Sequence, residues 1–305
     1  MSARIVLVGL GAIGAAYASR LVDAGCDLRV LLDAGRSGRY AGRPTVVNGR
    51  AYDFPLSTGA DGPADLAVVA VKRAALEEAI ELLRPCVTDR TVVLSLLNGI
   101  DSEEVLARAF PAATVLLAVS VGIDAVRNGR DVRFTSLGRI LLGEPVNPGP
   151  RSAQVAAVAA LLDHAGIDCA VPSDMVHQLW WKWLINVGVN QVSALCRVPY
   201  RVLQNPASPA RAVMIAAQRE VIAVANARGV ALDEHDLDRW LEVLAGLGPD
   251  NYTSMAQDVL AGRPTEVDSF AGTVVALGGD LGVPVPVNAV LYGLLKGAEA
   301  ADRSS

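Results

Sequence analysis

Residues 4–14 read RIVLVGLGAIG: an apolar run that ends in the glycine pattern Gly9-x-Gly11-x-x-Gly14, with helical spacing continuing through Leu21. A strand, this turn and a helix in that order open a Rossmann-type dinucleotide-binding unit. The first glycine permits the tight turn, the second lets the backbone approach a pyrophosphate, and the third lets helix and strand pack closely. Leu10, Ala12 and Ile13 complete the loop, and the amides at the helix start favour an anion. The same stretch is apolar after one arginine, as a secretory leader would be. It has neither a separate charged region nor a convincing cleavage site, so it reads as strand, turn and helix.

The second apolar run, Leu28–Leu32, ends at Asp33, about 20 residues past the glycines. An acidic group there accepts hydrogen bonds from ribose hydroxyls and repels a 2′-phosphate, which favours NAD(H). Arg36 and Arg39 follow, and either can reach a phosphate, so the preference stays open. Further strands are expected at Leu66–Val71, Thr91–Leu96, Val115–Val121 and Ile167–Val171, with helical spacing at Ala74–Leu83, Ser102–Ala109 and Ser152–Ala165. Apolar runs without strict alternation suit strands buried on both faces, as in a parallel sheet. The pattern RFTSLGRILLG at 133–143 reads as a hairpin at an antiparallel edge. After Pro172 the strand signals end, and six helical segments follow, separated by Pro199, Pro206, Gly229, Pro249, Pro264 and Pro284–Pro286. The expected architecture is an N-terminal α/β Rossmann-type dinucleotide-binding domain, 1–172, followed by an all-α substrate and catalytic domain, 173–305.

Composition removes several function classes. The 305 residues carry 27 basic and 32 acidic side chains, a formal charge of −5, with 52% apolar and 5% aromatic content. That balance offers no electrostatic footprint or stacking platform for nucleic acid. No uninterrupted apolar stretch is long enough for a membrane span, and a cytoplasmic location is expected. Cys26, Cys86, Cys169 and Cys196 form no CxxC pair, and His164, His177 and His235 share no ligand spacing, so no metal is expected. Only three of the basic residues are lysines, Lys72, Lys182 and Lys296. Lysine retunes its pKa where arginine does not, which makes these positions of interest.

The segment 174–195 is mostly apolar, yet Lys182, Asn186 and Asn190 recur every four residues and so share one helix face. A buried stripe of one amine and two amides needs partners, and a polar substrate would supply them; a structural ion pair for Lys182 is the plainer alternative. Asn98-Gly99 and Lys72 each follow a strand, at the carboxyl edge where open α/β sheets bind ligands. Asn98 also suits a simple turn with Gly99. Asn251, Ser254 and Glu266 form a later polar cluster, in which Ser254 and Glu266 are equally suited to capping helices.

Taken together, GLGAIG, Lys72, Asn98-Gly99, LGRILLGEP at 137–145, the helix WWKWLINVGVN, NYTSM and RPTEVDSFAG resemble the ketopantoate reductase family over nearly the whole chain. The resemblance implies reduction of a 2-oxo acid by a nicotinamide cofactor, NADP(H) by family habit, in the service of coenzyme A synthesis. It implies Lys182 as general acid and Glu266 as the acidic partner that holds the substrate hydroxyl and helps keep Lys182 charged. It also implies Asn98, Asn186, Asn190, Asn251 and Ser254 as substrate contacts. The loop residues Gly9–Gly14, Asp33, Lys72, Asn98 and Glu266 would serve the cofactor, in a cleft between the domains. Two departures stand near the expected substrate side: Gln191 after Asn190, and Pro199-Tyr200-Arg201. They leave the identity of the 2-oxo acid open. A β-hydroxyacid dehydrogenase and a nicotinamide-sensing binding module are the alternatives; oxidation of 3-hydroxy acids would mark the first, and cofactor binding without consumption the second. A homodimer through the helical domain is a further expectation.

Overall fold

A computed structural model describes residues 3–303, apart from 34, 36, 37, 39, 41, 60 and 148. Arg36 and Arg39 therefore lie outside the described residues. The chain divides into two compact units, Met1–Leu179 and Trp180–Ser305.

In the first unit, β1 (Arg4–Val8) leads through the glycine turn to α1 (Ala12–Asp23) and β2 (Asp27–Leu31). Next come β3 (Thr45–Val47), β4 (Arg50–Tyr52), β5 (Leu56–Ser57), β6 (Leu66–Val69), α2 (Leu76–Leu83), β7 (Val92–Ser95), α3 (Ser102–Ala109) and β8 (Thr114–Val121). The unit continues with β9 (Val126–Asn128), β10 (Asp131–Arg133), β11 (Arg139–Gly143), α4 (Ala153–His164) and β12 (Cys169–Ala170). The main sheet has eight strands in the order β12-β11-β8-β7-β6-β1-β2-β5. The six strands from β8 to β5 run parallel. Their side chains are buried on both faces. One face carries Ile5, Leu7, Leu66, Val68 and Leu94 against Tyr17 and Leu21 of α1 and Val155, Val158 and Leu162 of α4. The other carries Val6, Val8, Ala67, Val69 and Val93 against Leu76, Ile80 and Leu83 of α2 and Leu106 of α3. Two covered faces explain why these strands are continuous apolar runs.

The hairpin reading at 133–143 needs correction. β11 is antiparallel, but its partner is β8, and β12 forms the sheet edge beyond it. Two hairpins lie earlier, β3–β4 around Asn48-Gly49 and β9–β10 around Asn128-Gly129, in a separate four-stranded sheet β4-β3-β10-β9. Its strands are three residues long, too short for a periodic signal.

The second unit is helical. α5 (Met175–Cys196) runs across the division between the units, and α6 (Tyr200–Gln204), α7 (Pro209–Ala227), α8 (Glu234–Ala245), α9 (Ser254–Leu260), α10 (Ala271–Leu281) and α11 (Pro286–Arg303) follow. Helix starts are set by local chemistry: Asp233 and Asp236 form a reciprocal capping box on α8, and Pro209 occupies the first turn of α7. α10 ends at Gly282, whose φ of 67° is left-handed. The five-residue α6 departs from expectation, because Pro199 reads as a breaker; here it stands just before the first turn, where its missing N–H is harmless.

The glycine turn sets the packing of the first unit. Gly9 has φ 104°, and a Cβ there would sit 2.5 Å from the Ala70 carbonyl oxygen at the end of β6. A Cβ on Gly14 would sit 1.8 Å from the Gly9 carbonyl oxygen. Gly14→Ala should therefore destabilise the fold by about 1–3 kcal/mol or more through overpacking. Gly11→Ala, whose Cβ would meet only the Ala70 oxygen at 3.9 Å, should change stability by under about 1 kcal/mol. Chemical denaturation of the two variants checks the contrast; equal losses would contradict it.

Candidate active site

The parallel strands bring four predicted positions to one edge of the sheet. Asp33 follows β2, the glycine loop follows β1, Lys72 follows β6 and Asn98 follows β7, and these four strands are neighbours in the order β2-β1-β6-β7. At about 4.8 Å between strands, the row spans roughly 14–15 Å. Asp33 and Asn98 are half-buried, and Lys72 is exposed at the start of a single 3₁₀ turn, Arg73–Ala75. Arg73 ties that turn to Asp101, at the start of α3, through a 2.8 Å salt bridge. Gly99, with φ 115°, lets the chain reverse directly after Asn98.

This edge fits a dinucleotide. Gly9 and Gly14 are forced by the protein's own backbone, whereas the surroundings of Gly11 leave room for a side chain that the sequence does not supply. Gly11 is exposed and gives α1 no side-chain cap, so the helix N-terminus keeps its amide donors for an anion.

Beneath the Asn98 turn lies a polar chain that the sequence pattern does not reveal. Ser102 Oγ donates to Glu103 Oε2 at 2.8 Å, and Ser95 Oγ lies 2.8 Å from Ser102 Oγ. Ser95 Oγ in turn accepts the Leu97 N–H at 3.4 Å. Glu103 is buried, and burial pushes its carboxyl up to about 7. An acidic residue in the first turn of a helix normally signals only a favourable dipole contact, so nothing in the sequence marks it.

In the helical unit, α5 carries Lys182, Asn186 and Asn190 along one face, each about 6 Å further along the axis. Both asparagines are buried, and Lys182 is partly so. Among the described residues Lys182 has no salt bridge or hydrogen bond, and the Asn190 side chain has no hydrogen bond. Desolvation alone acts on the Lys182 amine and pulls its pKa from 10.5 down to about 8. Such an amine titrates within the working range of a general acid.

Other polar side chains of α5 bond within the protein. Trp181 Nε1 donates to the Asp236 carbonyl and Trp183 Nε1 to the Ser269 carbonyl, each at 2.9 Å. Gln191 is fully buried; its amide donates to the Val187 carbonyl and to Asn288 Oδ1, and its oxygen accepts the Ala271 N–H at 3.1 Å. Gln191 is thus a core brace and not a lining residue, contrary to its expected place near substrate. Tyr200 is half-buried, and its N–H donates to the Asn251 carbonyl at 2.9 Å, so these two segments lie together just beyond the C-terminal end of α5.

The capping alternatives for Ser254 and Glu266 fall away. The cap of α9 is Thr253, whose side chain accepts the Ala256 N–H, while Ser254 is exposed. Glu266 stands before the 3₁₀ turn Val267–Ser269 without capping it through its side chain. Asn251 is exposed and Glu266 half-buried. Among the described residues no group of three or more His, Cys, Asp and Glu is arranged to hold a metal, and no helix is long and apolar enough to cross a membrane.

Comparison with known proteins gives a consistent result. Residues 5–147 match the family model described as Ketopantoate reductase PanE/ApbA, and residues 174–299 match its C-terminal counterpart. A 2-dehydropantoate 2-reductase of Halobacterium salinarum is 35% identical over 237 residues, 77% of this chain and 76% of that protein. The crystal structure of 2-dehydropantoate 2-reductase from Geobacter metallireducens superposes with a TM-score of 0.84 at 29% identity, covering 97% of this chain and 99% of that one. A D-mandelate dehydrogenase in complex with NADH shares the fold, with a TM-score of 0.87 at 22% identity over 98% and 99% of the two chains.

The unpaired amine makes a stability prediction. Below pH 8 Lys182 is protonated in both folded and unfolded chains, so the fold carries its full desolvation penalty. As pH rises from 8 towards 10.5 the folded amine loses its proton first and the penalty fades. Lys182→Met should therefore stabilise the protein at pH 7, on the order of 1–3 kcal/mol, with the gain shrinking above pH 8. Thermal unfolding from pH 6 to 10 checks this; a destabilised variant at pH 7 would show that the amine is well paired.

Proposed function

The chain belongs to the ketopantoate reductase family and is an oxidoreductase acting on CH–OH groups; from that premise we propose that it reduces 2-dehydropantoate to pantoate, with NADH as the preferred cofactor and Lys182 as general acid. The observation that carries this reading is the desolvated, unpartnered Lys182 amine on one helix face with two buried amides.

Reduced nicotinamide, when bound at the glycine loop, supplies the hydride. Negative charge then develops on the substrate ketone oxygen, and protonated Lys182 stabilises that charge and delivers the proton. With no carboxylate paired to it, the ammonium is not neutralised before substrate arrives, and its lowered pKa makes the proton easier to give. Asn186 and Asn190 offer amide donors and acceptors for orienting the substrate, Ser254 and Asn251 contact its carboxylate side, and Glu266 accepts from the product hydroxyl. In the α/β unit, Asn98 orients the reacting groups and Lys72 serves the phosphate-bearing side. Asp33 accepts from the adenosine ribose, and its negative charge opposes a 2′-phosphate. A D-mandelate dehydrogenase of the same fold takes NADH, which supports the cofactor reading. A cytoplasmic place in coenzyme A synthesis belongs to the same proposal.

Initial rates with 2-dehydropantoate should show kcat/KM for NADH above that for NADPH by about tenfold or more, with the preference narrowed in Asp33→Ala. Lys182→Ala should lower kcat by roughly 10²–10⁴-fold. NADPH preference would overturn the role of Asp33. Near-normal turnover in a folded Lys182→Ala protein would overturn the mechanism, and turnover confined to other 2-oxo acids would overturn the substrate.

A further inference from the structure

Glu266 lies in a weak piece of backbone. The 3₁₀ turn that follows it is three residues long, closed by Ser269 N–H to the Glu266 carbonyl at 3.0 Å and Phe270 N–H to the Val267 carbonyl at 3.2 Å. Isolated turns of this kind hold their shape poorly on their own. The segment is instead fastened from two sides. Towards α5, the Ser269 carbonyl accepts from Trp183, the neighbour of Lys182, and the Ala271 N–H donates to Gln191.

On the other side stands the last helix. Tyr292, Lys296 and Glu299 on α11 are spaced at i, i+4 and i+7, so they share one face. Glu299 Oε1 accepts both the Thr265 N–H at 2.8 Å and the Thr265 hydroxyl at 2.6 Å. Two residues past Glu266, the Asp268 carboxylate accepts from the Tyr292 hydroxyl at 2.8 Å and from Lys296 Nζ at 3.0 Å. Lys296 also lies 3.7 Å from Glu299, joining the two anchor points. Glu299 is mostly buried, and Asp268 holds the Tyr292 phenol and the Lys296 ammonium above their usual ranges. Gly272 keeps the path clear, since a Cβ there would sit 3.2 Å from the Tyr292 ring.

We infer that Glu299 and Asp268, held together by Lys296 and Tyr292, are positioning residues that grip the chain immediately before and just after Glu266 and so fix where its carboxylate stands. The inference rests on the proposed role of Glu266 in substrate binding. It also accounts for the third of the chain's three lysines, since Lys296 locks the clamp and takes no part in the chemistry. A misplacement of about 1 Å at a reacting group can lower turnover as much as 10²-fold, so a clamp remote from the substrate has leverage on rate.

The test compares Glu299→Ala, Glu299→Gln, Tyr292→Phe, Glu266→Ala and the Glu266→Ala/Glu299→Ala double variant in the full chain. Glu299→Gln keeps an oxygen for Thr265 and should stay within about threefold of the parent, whereas Glu299→Ala should lose about tenfold or more in kcat/KM for the 2-oxo acid. The KM for the nicotinamide should change less than the KM for the 2-oxo acid. The double variant should be no slower than Glu266→Ala alone, because both changes remove the same placed carboxylate. Amide exchange over 265–270 should accelerate in Glu299→Ala and not in Glu299→Gln. Parent-like kinetics in Glu299→Ala, losses that add in full with Glu266→Ala, or unchanged exchange would each overturn the clamp. A wild-type chain without turnover would refute the proposed function, and exchange would still decide the clamp. Should Glu299→Ala fail to fold, Tyr292→Phe decides on the same readouts: an intermediate loss with faster exchange is expected, and neither would overturn it.

Discussion

Burial of α5 on nearly every side is the constraint from which the helical unit follows. A helix in that position must find a partner for each polar group or leave it costly. Trp181 and Trp183 meet this demand by donating to the carbonyls of Asp236 and Ser269, and Gln191 by bonding to Val187, Asn288 and Ala271. The same bonds fasten the starts of α8 and α10 and the segment that carries Glu266. Against that background Lys182 and Asn190 make no side-chain hydrogen bond to the described residues, which leaves the amine and the amide available to a ligand.

The α/β unit obeys a different rule. Parallel strands covered on both faces present all their carboxyl ends to one edge, so positions far apart in the chain become neighbours without specific contacts between them. Asp33, the glycine loop, Lys72 and Asn98 are brought into line in this way. The close backbone approach at Gly9, Gly14 and Ala70 sets the first strand and helix tightly enough that the loop between them stays open. Stability and binding thus divide among the three glycines: two serve the protein's packing, and the third leaves space.

The long elements are legible in the sequence because burial imposes periodicity. β1 and α3 stand at the residues read from it, and α5 within one residue of the reading. The small second sheet is signalled only by its turns, Asn48-Gly49 and Asn128-Gly129, since strands of three residues complete no period, and α6 is masked by a proline that reads as a stop. In the site, the four-residue spacing of Lys182, Asn186 and Asn190 is visible because helical geometry alone places them. Hidden are the features that depend on folding to bring distant polar groups together: Ser95 to Glu103 beneath the Asn98 turn, and Thr265 to Glu299 across 34 residues. Gln191 follows Asn190 directly but does not share its face, because adjacent helix residues point about 100° apart.

As proposed, Lys182 acts as the proton donor with an ionisation displaced by desolvation. The most direct measurement is the pH dependence of kcat/KM for 2-oxo acid reduction between pH 6 and 10.5, which reports groups of the free enzyme. The rate should be level at low pH and fall about tenfold per unit once pH exceeds about 8, where the amine loses its proton. A profile that stays level to pH 10 would contradict this, placing the donor elsewhere or giving Lys182 a counter-charge.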